Sequence, residues 1–242
     1  MLFDEGLYFV EEMRNEFYKM ATLLVGSSDK ILSKKINGGD IMAKIITISR
    51  QFGSAGRTIA KQVAERLGYD YYDKEIIDHV AVETGFSKEY IAERGEHAPG
   101  KTIFSFGLEP QGVPGVMNGM SSADYLWCIQ RKVIIDIANK GKPCVIVGRC
   151  ADYILKEYDD VLNVFIHANI EFRKDRIVRL YGSSEKDPEK RLNEKDKKRK
   201  ANYRYYTNRE WGGVSNYDIC LDTSRLGIEK CIDIICDLAE NK

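Results

Sequence analysis

Gly53, Ser54, Ala55, Gly56, Arg57 and Thr58 follow closely on the β-branched run Ile45-Ile46-Thr47-Ile48. Small residues let a backbone curl tightly round an anion. Ala60, Val63, Ala64 and Leu67 then recur at one-face spacing, and Gly68 supplies a stop, so a helix follows the loop. A strand, a short loop and a helix N-terminus aim several backbone N–H groups and the positive end of a helix dipole at one spot. The chemistry that suits this arrangement is polyphosphate binding. Set against the signature G-x-x-x-x-G-K-S/T with Gly56 as the second glycine, Gln51 stands at the first glycine, Arg57 at the lysine and Thr58 at the metal-binding hydroxyl. Arg57 keeps the positive charge, although a planar guanidinium is not the compact point charge of a lysine. An ordinary strand–turn–helix connection with a polar turn is the competing explanation.

Other residues have the types that phosphate chemistry uses. Gly148-Arg149 follows the apolar run Cys144-Val145-Ile146-Val147, so an arginine stands at a strand's carboxyl end, able to fork two N–H donors onto a phosphate or carboxylate. A surface ion pair with Asp152 is the alternative. Arg173, Arg176 and Arg179 recur every third residue and share one side of a helix; a solvated basic face is the alternative, and the preferred one for Arg179. Asp73 ends Tyr71-Tyr72-Asp73, where a carboxylate can hold magnesium through water, orient an acceptor, or simply cap the next helix. In residues 191–206, Asp196 and Arg199 lie three apart among further cations and Tyr203, Tyr205 and Tyr206. That segment reads as a solvated helix, as a nucleic-acid patch with stacking tyrosines, or as a lid whose arginines neutralise a migrating phosphoryl group.

The elements that must position these residues alternate. Strands are expected at 44–48, 70–72, 143–147, 162–167 and 217–221. Helices are expected at 57–67, 74–83, 123–139, 151–157, 170–180, 188–206 and 228–240. This is the pattern of a parallel α/β sheet covered on both faces, with ligands beyond the carboxyl ends of the strands. Residues 53–58, Asp73 and Arg149 then share one rim. The 242 residues suit one substantial core. Residues 1–41 read as an N-terminal extension or accessory helix, with Met42 a candidate natural start and the domain running over 42–242. Residues 98–122, rich in glycine and proline, read as a substrate-covering loop or as plain disorder.

Lys plus Arg and Asp plus Glu both total 37, so overall charge gives no hint of nucleic acid or membrane. No apolar run is long enough to span a bilayer. The six cysteines show no zinc spacing and read as free thiols of a cytoplasmic protein. The three scattered histidines suggest neither a metal centre nor a Ser-His-Asp site.

The set Ile48-Ser49-Arg50-Gln51-Phe52-Gly53-Ser54-Ala55-Gly56-Arg57, Tyr72-Asp73, Ile146-Val147-Gly148-Arg149-Cys150-Ala151-Asp152, Asp196-Lys197-Lys198-Arg199 and Tyr217-Asp218 through Leu221-Asp222-Thr223-Ser224 resembles the cytidylate kinase-like family of P-loop nucleoside monophosphate kinases. The resemblance runs from Lys44 to the C-terminus. It implies a P-loop NTPase-type three-layer fold with a five-stranded parallel sheet and a helical lid at about residues 183–210. It also implies magnesium-dependent transfer of the ATP phosphoryl group to a nucleoside monophosphate, CMP or dCMP first; the neutral charge adds the expectation of no nucleic-acid or membrane partner. By the same resemblance, residues 53–58 cradle the ATP phosphates and Thr58 touches magnesium. Arg149 grips the acceptor phosphate, Arg57, Arg173 and Arg176 compensate charge, and Asp196 with Arg199 belongs to the lid. Cytidylate kinases have glycine and lysine where Gln51 and Arg57 stand, Gly-Arg-Asp where Cys150 follows Arg149, and a lid arginine where Leu192 stands. A kinase of another small acceptor and a nucleotide-binding regulator are the rival expectations.

Overall fold

The computed structural model describes residues 43–94, 122–182 and 187–240. The expected N-terminal extension, the loop 98–122 apart from Ser122, and residues 183–186 of the expected lid lie outside the described residues. The chain divides into two units, Met1–Gly39 and Asp40–Lys242, and the second is the one described below.

Ile45–Arg50 forms β1, and all six residues are buried. A strand buried on both faces belongs inside a sheet that is covered on both sides. β1 pairs in parallel with β3 (Cys144–Val147) on one side and β4 (Val161–His167) on the other. β2 (Asp70–Tyr72) and β5 (Ile219–Asp222) form the edges. The order is β2-β3-β1-β4-β5, with every pairing parallel. Ile48 lies opposite Val147 and Val164, so β1, β3 and β4 end at the same rim. Parallel neighbours need crossovers, and here these contain helices. α1 (Gly56–Leu67) follows β1; α2 (Lys74–Thr84), α3 (Lys88–Arg94) and α4 (Ser122–Asn139) come between β2 and β3. α5 (Ala151–Ile154) links β3 to β4, while α6 (Ile170–Tyr181) and α7 (Pro188–Thr207) precede β5. α8 (Thr223–Leu226) and α9 (Ile228–Glu240) complete the chain's described part.

The one-face spacing of α1 is realised as burial. Ile59, Ala60, Val63 and Ala64 join Ile232, Ile235 and Ala239 of α9 and Ile46, Ile48 and Val164 of the sheet in one core cluster. Gly68 ends α1 in the left-handed region at φ 69°, the conformation for which glycine is the cheapest residue. This is the expected three-layer P-loop NTPase-type fold, and the expected strands differ from the observed ones by one or two residues at their ends.

Three elements differ more. α5 stops at Ile154 instead of 157, because Lys156 and Tyr158 turn their N–H groups to carbonyls three residues back. α3 was not expected; it starts where Ser87 Oγ accepts from Tyr90 N, an N-cap. α8 was not expected either, and Asp222 caps it by accepting from Ser224 N. None of the six cysteines is in a disulfide, and burial pushes the Cys144 thiol up to about 12 and Cys128 to about 11. Thiols so protonated are poor nucleophiles. No described helix is long and apolar enough to cross a membrane.

Candidate active site

The loop after β1 is held from below. Gln51 N donates to Ile166 O at 2.9 Å, and Gln51 Oε1 accepts from Ala168 N at 3.2 Å. The residue at the first-glycine position thus ties the loop to the end of β4. Ser54 Oγ donates to Gln51 O and Ile166 O, and Thr223 Oγ1 donates to Ser54 O at 3.0 Å. Ser54 is fully buried with its hydroxyl turned inward, so what it can offer an anion is backbone. Gly53 takes φ 81°, and a Cβ there would lie 3.1 Å from Arg173 O and from Leu192 Cδ2. Ala55 is left-handed at φ 67° just before α1, a conformation that costs a non-glycine residue on the order of 1 kcal/mol. Gly53, Ala55, Gly56, Arg57 and Thr58 line a cleft closed on its other side by Arg176.

The expected site arginines divide into two groups. Arg176 Nη2 donates to Thr58 Oγ1 at 2.7 Å, and burial, with the charge of Arg179 beside it, lowers its pKa. Arg57 turns to Asp73, with Nε 2.9 Å from Oδ2 and Nη2 3.3 Å from Oδ1. Asp73 stands at the N-cap position of α2, but its carboxylate does not cap the helix; Glu75 instead accepts from Asp73 N at 3.0 Å. Arg173 points inward: its Nε donates to Phe52 O at 2.8 Å and its guanidinium pairs with Asp196. Asp196 Oδ1 accepts from Phe52 N at 2.8 Å. Phe52 is therefore gripped at both its N–H and its carbonyl by α6 and α7. Arg199 lies 3.7 Å from Asp196 and donates to Arg50 O at 3.3 Å, on the helix face that the three-residue spacing demands.

A second cleft opens beyond β3. Gly148, Arg149 and Cys150 have φ of 72°, 56° and 55°, three left-handed residues in succession. Two of them are not glycine, and strain of this kind concentrates where a side chain must be aimed. Arg149 is buried, and its Nη1 donates to Gln130 Oε1 at 2.6 Å. Arg50, Arg149, Arg199, Tyr203 and Trp211 are among the residues lining this cleft. Arg50 and Arg199 line the loop cleft as well, so the two clefts meet across this pair.

Sequence reasoning did not single out Arg50, Gln130 or Trp211 as site residues, and it offered Tyr203 only as one of the stacking tyrosines of residues 191–206. Arg50 had a signal: it lies just past the carboxyl end of the expected strand 44–48, at the rim where ligands gather. Gln130 and Trp211 had none, because each arrives from an element whose pattern speaks only of packing.

Asp152 lies beneath the second cleft, accepting from Tyr203 OH at 2.5 Å and from Ser49 Oγ at 3.5 Å. Burial pushes its carboxyl up to about 6, against the opposing hydrogen bond from Tyr203. Between the unfolded value near 4 and about 6, the folded state alone holds the proton. The stability from this group is therefore full below the unfolded pKa and lost as pH rises through about 6, by roughly 3 kcal/mol. Asp152→Asn should remove that dependence. Urea midpoints at about pH 4.5 and pH 7.5 check it: wild type should weaken against the variant as pH rises, and an unchanging difference would refute the assignment.

Among the described residues no cluster of three or more His, Cys, Asp or Glu could hold a metal ion. Magnesium needs no such cage, since it keeps waters and binds through one or two protein oxygens plus substrate phosphates. The Thr58 hydroxyl, on the wall of the loop cleft, would meet that requirement with the oxygen that here accepts from Arg176 Nη2. The Asp73 carboxylate, shared with Arg57, fits it through water.

A family model described as the cytidylate kinase-like family matches residues 45–225. The chain is similar to the cytidylate kinase of Methanosarcina barkeri, at 27% identity over 191 residues covering 78% of this chain and 93% of that protein. It is similar also to the cytidylate kinase of Pyrococcus abyssi, at 24% identity over 194 residues covering 79% and 91%. Among solved structures, an uncharacterized protein from Eubacterium ventriosum matches with a TM-score of 0.61 and 26% identity, covering 82% of this chain and 99% of that chain.

Proposed function

The chain belongs to the cytidylate kinase-like family, and from that premise we propose that it transfers the terminal phosphoryl group of ATP to a nucleoside monophosphate, CMP or dCMP first. One observation carries the reading. A cleft built on the amide-rich loop and a cleft built on Arg149 meet across Arg50 and Arg199. Two anions can thus be brought end to end with positive charge between them, which is what an in-line displacement needs.

In this reading Gly53, Ser54, Ala55, Gly56 and Thr58 cradle the ATP phosphates, largely through backbone N–H groups at the start of α1. Arg176 stands over them and Arg57 adds charge at the rim. Arg149 grips the acceptor phosphate, and Arg199 reaches the migrating group. Arg173 and Asp196 act one step back, by fixing Phe52 and with it the loop. Thr58, with Asp73 through water, would hold a magnesium ion, which would supply charge compensation to the nucleotide phosphates. An acceptor phosphate oxygen attacks the γ-phosphorus while the bond to the β–γ bridging oxygen breaks, and ADP leaves. That oxygen is anionic at neutral pH, so no general base is required, in keeping with a site rich in arginine.

An ADP-release assay across CMP, dCMP, UMP, AMP and small metabolites tests the reading, alongside titration calorimetry with ATP and magnesium. Fastest turnover with CMP or dCMP is the expected result. Fastest turnover with another acceptor would move the substrate, and ATP binding without turnover would favour a regulator, a reading to which the pairing of Arg57 with Asp73 lends support. Absence of ATP binding would remove the function altogether.

A further inference from the structure

We propose that Arg50, and not Arg57, supplies the positive charge that a lysine contributes in the usual phosphate loop. The inference rests on the kinase reading and adds a catalytic residue to it. Arg57 occupies the lysine's place in the sequence, but its side chain is 54% exposed and held to Asp73. Arg50 is 5% exposed, ends the central strand, and lines both clefts.

The two glycines that flank it explain how an arginine fits there. Gly56 starts α1, and a Cβ on it would lie 2.5 Å from Arg50 Cβ and 2.8 Å from Cγ. Its φ is not among the positive ones, so its lack of a side chain reflects room and not backbone freedom. A Cβ on Gly148 would overlap Nη1 of the Arg50 guanidinium. The side chain thus runs from one glycine to the other, from the start of the loop helix to the turn that carries Arg149. Arg199 fixes its backbone by donating to Arg50 O at 3.3 Å. A guanidinium is flat and presents donors along two edges, so one placed where two clefts meet can touch the donor γ-phosphate and the acceptor phosphate together. Such contacts strengthen as charge moves between the two, so they accelerate transfer more than they tighten ATP binding.

The test compares Arg50→Ala, Arg50→Lys, Arg57→Ala and Gly148→Ala for kcat, KM and ATP affinity by calorimetry, with thermal unfolding as a folding check. Arg50→Ala should lose on the order of 10²–10³-fold in kcat with ATP affinity within about threefold of wild type. Added guanidinium should restore part of the loss, a response that a merely structural role would not show. Gly148→Ala should lower kcat too, through the displaced guanidinium and through strain at φ 72° in the turn that carries Arg149, and Arg57→Ala should lose less than about tenfold. If Arg50→Ala fails to fold, Arg50→Lys carries the comparison, with a kcat loss larger than that of Arg57→Ala expected. Equal losses at the two arginines, or a larger loss for Arg57→Ala, would overturn the assignment while leaving the kinase reading intact. A wild type that releases no ADP with any acceptor would remove the kinase reading, and this assignment with it.

Discussion

Asp196→Ala is expected to lower folding stability by about 3–5 kcal/mol, the cost of stripping one partner from a buried ion pair. Three groups depend on this carboxylate. Arg173, whose side chain is 7% exposed, pairs with it, Phe52 N donates to it, and Arg199 lies 3.7 Å away. Alanine leaves the Arg173 guanidinium in a place that water barely reaches and orphans a backbone N–H, and each is costly by itself. The effect should extend to the nucleotide. With one of the two grips on Phe52 lost, the loop is free to move away from the geometry that its amides need, so ATP affinity should fall as well. Asp196→Asn separates the contributions, because an amide oxygen can still accept from Phe52 N while the charge is gone. It should therefore recover part of the affinity and less of the stability. Urea unfolding checks the first claim, and a shift below about 1 kcal/mol at constant m-value would show that the loop stands without the clamp.

Arg149→Ala should cost about 2–4 kcal/mol in transition-state stabilisation, or roughly 30- to 10³-fold in kcat, comparable to the loss of a preorganised donor. The fold offers a way to keep this apart from instability. Arg149 is held at φ 56°, so glycine suits its backbone better than alanine by about 1 kcal/mol. Both variants leave Gln130 without the 2.6 Å bond to its Oε1, and Gln130 is buried. Arg149→Gly should accordingly be the more stable of the two and equally slow. Arg149→Lys keeps a charge but cannot fork, and should fall between wild type and alanine. Steady-state kinetics with saturating ATP decide the matter. Near-normal turnover of Arg149→Gly would remove this residue from the acceptor site.

What was legible in the chain is what neighbours in sequence decide. β-Branched runs such as Ile45-Ile46-Thr47-Ile48 announce buried parallel strands, since few other structures can hide both faces of so apolar a segment. The spacing of Ala60, Val63 and Ala64 marks the buried face of α1, and Gly68 marks its end, because helix periodicity and the left-handed stop are local properties. The shared rim of the loop, Asp73 and Arg149 followed from the rule that parallel strands end together. α3 escaped notice because seven residues carry too little periodicity to stand out, and its capping serine is legible only once the helix is known.

Which way a charged side chain turns was a different matter, decided by partners far along the chain. Arg57 and Arg173 look alike as cations on helices, yet one goes to Asp73 and the other to Phe52, 121 positions away. Asp196 reads as a lid carboxylate until the fold brings it to Phe52, across 144 positions. Arg50 falls two residues beyond the expected strand 44–48 and reads as a loop cation until Gly56 and Gly148 are seen to clear a path for it. Local sequence thus determined the strands, helices and rim, because backbone hydrogen bonding and apolar burial act over a few residues. Only tertiary packing decided the direction of each guanidinium, because a long flexible side chain follows whichever distant carboxylate or carbonyl the docked helices bring within reach.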